Sequence, residues 1–393
     1  MISRFLLAGL LLLATANALA AAEAARQVTI LYLDRADDPA YAPIRGYAAV
    51  HPQTIPSPYP AAEAAIADAK LVGEATGLNF ELRHVTLEAG EDAADKVRAL
   101  AKDDGLSAVL LDLPLEQMQK TASDLAGLAL PLFNARHRDA GLRLAACRTH
   151  LFHTMPSWDM LEDGLAQGLA KRNWKRVLVI ESDDPADKSV SAAFQASAAK
   201  FGLAVVAVKS FVPGSDPRVR EKNNPRLITG EADYDVVFVA GQGGDFARSL
   251  PFNTLLPRPV VGAAGLMPSA WHPYWERQGA PQLNHRLEKA AKHPVGDADW
   301  AAWAAVRAIV EAEVRGRPAN AAELLPALLD PRLTLELYKG SPGSFRPWSR
   351  QLRQPVLLGT EGSVAGMAPV EGMLHRTNTL DTLGLDEPEF HCL

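Results

Sequence analysis

Six clusters of residues have types and spacing that could do chemistry. Glu181, Asp183, Asp184 and Asp187 crowd together just after a β-rich run. Oxygen ligands at such spacing can hold a hard cation such as calcium. The Asp-x-Asp-x-Asp-Gly spacing of a calcium loop is missing, however, and Asp187 stands where it would cap a following helix, so no metal site is expected. His150 and His153 lie three apart beside Cys147. On a strand that spacing puts them on opposite faces, which argues against a shared metal. Arg136 and Arg138 could grip a carboxylate through paired N–H donors, or sit in a solvated boundary loop. Trp271, His272, Tyr274 and Trp275 could wall an apolar ligand or pack a crossover between domains. Trp300 and Trp303, at helical spacing, read as core.

The sixth cluster, Gly241-Gln242-Gly243-Gly244, stands where a strand turns into a helix, the place of a dinucleotide fingerprint. Its third glycine is absent, since Phe246 holds that position, so it reads as a tight turn that brings backbone close to a ligand. There is no Gly-x-Ser-x-Gly elbow, no His-Glu-x-x-His, no Walker loop and no Cys-x-x-Cys. No nucleophile–base pair is recognisable, so the chain is not expected to be an enzyme, and no cofactor is implied.

The elements that must position these groups follow a repeating order. Val28–Asp34 reads as a strand, 37–60 as a long Pro- and Tyr-rich loop, and Ala61–Gly73 as a helix. Leu78–Val85 is a strand, Asp92–Asp103 a helix, Ala108–Leu113 a doubly buried strand, Leu115–Leu125 a helix and Leu128–Phe133 another strand. This β-α-β-α-β-α-β order implies a parallel sheet with right-handed crossovers. After a turn-rich boundary at His137–Cys147 the alternation restarts. Strands are expected at Leu151–Met155, Arg176–Glu181, Ala204–Phe211, Asp235–Ala240 and Pro259–Gly262, with helices at Asp159–Lys171 and Lys188–Phe201, one ending near Thr229 and one after Gly244. Two more helices, Asp297–Arg315 and Ala321–Leu329, and two late strands, Gln354–Gly359 and Ser363–Val370, complete the reading.

The fold class is therefore α/β, with two hinged, doubly wound parallel-sheet domains. Residues 27–148 with 270–340 are expected to form one lobe, and residues 149–269 with 341–393 the other. Ligands of open parallel sheets lie beyond the carboxyl ends of the strands. The candidate contacts are accordingly strand-end residues: Asp34, Asp112, Pro114, Asn134 and Arg136 from the first lobe, and Asp184, Gln242, Gly243 and Ala264 from the second.

Composition bounds where the chain works. Arg4, the apolar run Phe5–Leu13 and Ala18-Leu19-Ala20 make residues 1–20 a secretory signal peptide, too short in its apolar part to span a bilayer. No cysteine sits near the cleavage site, so a lipid anchor is not expected. The net charge of −6, which becomes −7 when Arg4 leaves, and the lack of long basic runs disfavour nucleic acid or an anionic membrane as partner. An exported protein without stable membrane insertion is expected. The two cysteines, Cys147 and Cys392, either form a bridge in an oxidising compartment or remain free.

Ala61-Ala62-Glu63-Ala64-Ala65-Ile66-Ala67-Asp68 with Gly77-Leu78-Asn79-Phe80-Glu81-Leu82, the run from Val97 to Leu130-Pro131-Leu132-Phe133-Asn134, and Leu151-Phe152-His153-Thr154-Met155-Pro156-Ser157 resemble type I periplasmic binding proteins of the branched-chain amino-acid class. A narrower set comprises Asp112-Leu113-Pro114, Cys147-Arg148, the run from Asp299 to Ala308, Ser344-Phe345-Arg346-Pro347-Trp348, Gln351-Leu352-Arg353-Gln354-Pro355 and Leu380-Asp381-Thr382-Leu383-Gly384. It resembles the substrate-binding proteins of ABC transport systems associated with PQQ-dependent alcohol oxidation. The resemblance implies a binder that delivers a small solute to an ABC transporter permease. A periplasmic sensor, or a protein handling a cofactor or metal, is the alternative. Amino-acid binders of this class hold the ligand ammonium with an acidic residue after the last strand of the second lobe. Ala264 stands there in this chain, and a buried unpaired ammonium is costly, so ordinary α-amino acids are expected to bind poorly.

Overall fold

The apolar run Val28–Leu33 is buried on both faces, as the middle strand of a covered parallel sheet must be. In the computed structural model, which describes residues 25–42, 55–102, 105–213, 223–230, 232–241 and 244–391, this run lies in strand β1 (Arg26–Arg35). The expected signal segment, residues 1–20, lies outside the described residues.

The chain continues through α1 (Tyr59–Thr76), β2 (Leu78–Leu87), α2 (Ala93–Leu100), β3 (Leu106–Leu111), α3 (Leu115–Asp124), β4 (Leu132–Asn134) and β5 (Leu151–His153). These strands form one parallel sheet in the order β2-β1-β3-β4-β5. Then follow α4 (Trp158–Lys171), β6 (Arg176–Glu181), α5 (Pro185–Lys200), β7 (Ala204–Ser210), α6 (Pro225–Ile228), β8 (Val236–Val239), α7 (Asp245–Asn253) and β9 (Val260–Gly262). The second parallel sheet runs β7-β6-β8-β9, so both sheets share one winding. The rest is β10 (Met267–Ser269), α8 (Ala280–Ala291), α9 (Asp297–Gly316), α10 (Ala321–Leu328), β11 (Ser344–Phe345), β12 (Leu352–Arg353), β13 (Val356–Thr360) and β14 (Ser363–Ala368).

The two-sheet α/β class expected from the sequence is the one found. One boundary differs. The strand expected to open the second half, β5, completes the first sheet, with Phe133 opposite Phe152 and Asn134 opposite His153. Its three residues are all buried, and pairing beside β4 is what covers them. Segment 341–393 was expected with the second lobe, but its start packs on the first sheet, where Phe345 meets the Phe133 and Phe152 rings edge-on.

Alternation along the strands sorts side chains into cores. Ile30, Tyr32, Ala108 and Leu110 face α1, α8 and α9, while Leu31, Leu33, Val109 and Leu111 face α2 and α3. In the second sheet Val177, Val179 and Phe238 face α4 and α5, and Leu178, Ile180 and Val237 face α7. Strand β13 serves both halves. It pairs antiparallel with β10 and β14; Val356 and Leu358 enter the second sheet's core, and Leu357 between them enters the first's. A period of two allows one strand to do this. Gly164 and Gly168 of α4 give it room: a Cβ at Gly168 would come within 2.7 Å of Leu358.

A buried polar knot closes the crossover. Gln354 donates to Thr154 O at 2.7 Å, Gln351 donates to His153 O and Met155 O at 3.1 Å each, and Arg143 donates to Gln351 Oε1 at 2.8 Å. His153 is fully buried at its centre, with Nδ1 3.0 Å from Asn134 Nδ2. Burial first, and the Arg143 charge second, push its pKa well below the ordinary value. The unfolded chain binds a proton on this residue below about pH 6.5 and the folded chain does not, so its contribution to stability is lost as pH falls through that region. Burial lowers His137 and His150 as well, so the effect is isolated by substitution. Urea unfolding at pH 7.0 and 5.5 should show a steeper acid loss in the wild type than in His153→Gln, by up to about 1.4 kcal/mol per pH unit. Parallel losses would mean that His153 takes a proton in the folded state.

Candidate binding site at the carboxyl edges of two parallel sheets

Where a doubly wound sheet reverses strand order, the loops leaving two adjacent strands diverge and open a crevice. In the first sheet this happens between β1 and β3, and polar groups gather there. Asp112 follows β3 and is 3% exposed. Its carboxylate accepts from Tyr32 Oη at 2.7 Å, from Tyr41 Oη at 2.7 and 2.8 Å, and from Arg136 Nη1 at 3.1 Å. Arg136 also grips Asp38 with both terminal nitrogens, at 2.5 and 3.1 Å. Asp38 in turn caps the short 3-10 turn Pro39–Tyr41 by accepting from Ala40 N. The Tyr41 ring lies against the guanidinium, 5.4 Å from centroid to carbon.

These contacts fix protonation. Burial, then the Asp112 charge, raises the Tyr32 and Tyr41 pKa values well above the ordinary phenol, so both remain donors. Burial works against the charged form of Asp38, but the Arg136 and Ala40 donors outweigh it and hold the carboxyl below its ordinary value. On the neighbouring edge Asp34 Oδ2 pairs with His84 Nε2 at 2.8 Å, and the His84 ring stacks on Tyr59 at 4.2 Å.

The expected first-lobe residues divide. Asp34, Asp112 and Arg136 do stand together at this edge. Asn134 does not offer its amide to a solute: it is wholly buried, Oδ1 accepts from the Arg136 and His137 amides at 3.0 and 2.7 Å, and Nδ2 donates to His137 O at 2.8 Å. It shapes the turn that aims Arg136. Pro114 is the N-cap of α3, and its ring fixes the helix start without making a side-chain cap bond. Arg138 is held by Asp297 at 2.5 Å and lies over the Trp158 ring. Trp271 and Trp275 are core residues whose indole nitrogens bond to Asn284 and to Tyr338 O; only Tyr274 of that cluster is open to solvent.

In the second sheet the matching switch point lies between β6 and β8. Glu181 pairs with Lys188 at 2.5 Å, and Ser182 donates to Asp187 at 2.5 Å. The helix cap is Asp184, which accepts from Ala186 N at 2.8 Å, and not Asp187 as expected. Pro185 at the first helical position sets that start, one turn earlier than the apolar periodicity suggested. Gly241 leaves β8 with φ +112°, and a Cβ there would fall 2.5 Å from Asp187 Oδ1, so the loops pack tightly. Gln242 and Gly243 lie outside the described residues. Ala264 is buried at 6%, in the apolar cluster of Val237, Val239 and Leu250. The residues hardest to foresee were Tyr32, Asp38, Tyr41, Tyr59 and His84. Tyr32 shows its facing through alternation with Ile30, but its partner Asp112 is 80 residues away. Among the described residues no group of three or more His, Cys, Asp or Glu is arranged to hold a metal, and no helix is long and apolar enough to cross a membrane.

Solved structures match over most of the chain. An ABC transporter substrate-binding protein from Desulfitobacterium hafniense, complexed with Leu, superposes with TM-score 0.63 at 16% identity, covering 86% of this chain and 99% of its own. A branched-chain amino acid ABC transporter periplasmic ligand-binding protein from Burkholderia xenovorans gives 0.66 at 11%, covering 87% and 95%. The fold is that of the type I periplasmic binding proteins. A solute-binding protein of an ABC transporter from R. palustris, complexed with benzoate, has the same fold at TM-score 0.59 and 13% identity, covering 93% and 99%. No family model and no curated protein matches the sequence.

Proposed function

We propose that this chain is the solute-binding component of an ABC transporter, exported to the periplasm, that captures a small solute between two lobes and presents it to a permease without turning it over. The observation that carries this reading is the pair of switch points. Two sheets of identical winding each end in a polar edge, and β10 and β13 tie them together at the crossover. In such an arrangement a solute that touches both edges stabilises the closed state by its differential contacts. The first lobe is built on the first sheet, including β5, with α8 to α10 and with β11 and β12 packed on it; the second is built on the second sheet with β14 and the segment after it. The motifs around Asp299–Ala308 and Ser344–Trp348 favour a solute linked to PQQ-dependent alcohol oxidation.

The test is a thermal-shift panel of alcohols, aldehydes, acids, amino acids, PQQ and metal ions. A ligand at a hundredfold excess over its Kd adds about 2.7 kcal/mol, which is a shift of several degrees. A hit only with PQQ or a metal would replace transport by cofactor handling. The panel also carries a negative expectation. Ala264 sits in an apolar cluster where an amino-acid ammonium would need a carboxylate. Leucine should therefore bind more weakly than 1 mM by calorimetry. Micromolar leucine affinity would refute this expectation.

A further inference from the structure

We infer that the solute taken at this site carries no ionised carboxylate, because the guanidinium at the first switch point is already committed to two carboxylates of the chain itself. This rests on the solute-binding reading above. Arg136 uses Nη1 and Nη2 on Asp38, in the forked geometry with which arginine would otherwise seize a ligand carboxylate, and Nη1 also reaches Asp112. Asp38 cannot give way freely: its side chain is 1% exposed, and a ligand that took Arg136 would leave a buried carboxylate without its counterion.

The surrounding charge points the same way. Asp38 and Asp112 stand against Arg136 on the first edge, where Asp34 pairs with His84 and Arg35 with Asp37. On the second edge Lys188 faces Glu181 and Asp183 together. Among the described residues an incoming anion meets an excess of negative charge at both edges, whereas an ammonium is attracted. Behind the polar rim Leu110, Ala135 and Ala302 are buried in the packed core beside Tyr32. The class this charge pattern admits has a hydroxyl, carbonyl or amine head.

Matched sets that differ only in the head group test this on the mature chain: alcohol, amine and carboxylate on linear, branched and benzyl frames of two to eight carbons, ranked by thermal shift and measured by calorimetry. The alcohol or amine should bind at least tenfold more tightly than its matched carboxylate. A carboxylate as the tightest member would overturn the inference and leave the solute-binding reading intact. Silence across every set and across the wider panel would overturn both. The variant Asp38→Asn keeps the cap on Ala40 N and removes one competing charge. It should raise affinity for the carboxylate members at least tenfold. No gain, in a variant that melts as the wild type does, would show that Arg136 is not what excludes them.

Discussion

Replacing Asp381 by alanine should destabilise the fold by about 3–5 kcal/mol, the usual cost of stripping one partner from a buried ion pair. Asp381 has a fully buried side chain, and its Oδ1 accepts from Arg346 Nε and Arg353 Nε at 2.8 Å each. Arg346 is 2% exposed and also donates to Leu380 O and Leu383 O at 2.9 and 2.6 Å. The carboxylate thus fastens β11 and β12 to the turn at Thr379–Thr382. That turn is held to α4 in turn, since Gly384 N donates to Asp163 at 2.7 Å. Without Asp381 two guanidiniums would remain at the crossover, one of them wholly desolvated. Arg346→Met is the control. It keeps much of the apolar stem and leaves Asp381 paired with Arg353, so its cost should be clearly smaller. Urea midpoints of the two variants measure the difference. A loss below about 1 kcal/mol for Asp381→Ala would mean that water solvates both guanidiniums after substitution.

The parts of this molecule that the sequence discloses are those set by local pattern. Runs such as Val177–Ile180 have one reading, because only a strand covered on both faces hides four successive apolar side chains. The alternation of such runs with Ala-rich helices imposes the parallel winding. Where a segment is short, local pattern loses its power. Leu151–His153 has no feature that favours one sheet over the other, and its place was decided by an open flank beside β4. Met267–Ser269 contains a proline and was not expected as a strand, yet it pairs with β13 at the edge of its small sheet, where a missing N–H is tolerated. Residues 280–291 form α8, which was not expected; it buries Leu283 and Leu287 at four-residue spacing, with Pro281 in its first turn.

The candidate site was half legible for a similar reason. Knowing that ligands gather beyond strand ends was enough to select Asp34, Asp112 and Arg136. It could not separate a residue that faces the crevice from one that builds the turn behind it, and Asn134 is the second kind. Nor could it supply Asp38 and Tyr41, which reach Asp112 and Arg136 from a loop with no periodicity. Long-range polar pairs leave no trace in spacing. They emerge only when the sheet has brought β1, β3 and β4 into register.

A second large effect is expected at the cysteines. Cys147 is 8% exposed and disulfide-bonded, and no free cysteine occurs among the described residues. The chain has two cysteines, and the second, Cys392, lies outside the described residues. A bridge between them would join the turn after the 3-10 segment Ala140–Leu142, near the first sheet, to a tail that Gly384 and Asp381 already fasten to α4 and the crossover. Because the tail is anchored independently, the bridge should add little to the folded state and act mainly on the unfolded chain, whose freedom it curtails. Closing so long a loop is worth up to about 5 kcal/mol in the chain-entropy model, with about 2–4 kcal/mol typical of measured cases. The double variant Cys147→Ser with Cys392→Ser should lose stability in that range. Its urea dependence should also steepen, because an uncrosslinked unfolded chain exposes more surface. Thiol titration in denaturant provides the direct check: none should react before reduction and two afterwards, whereas two reactive thiols in the unreduced protein from an oxidising compartment would exclude the bridge.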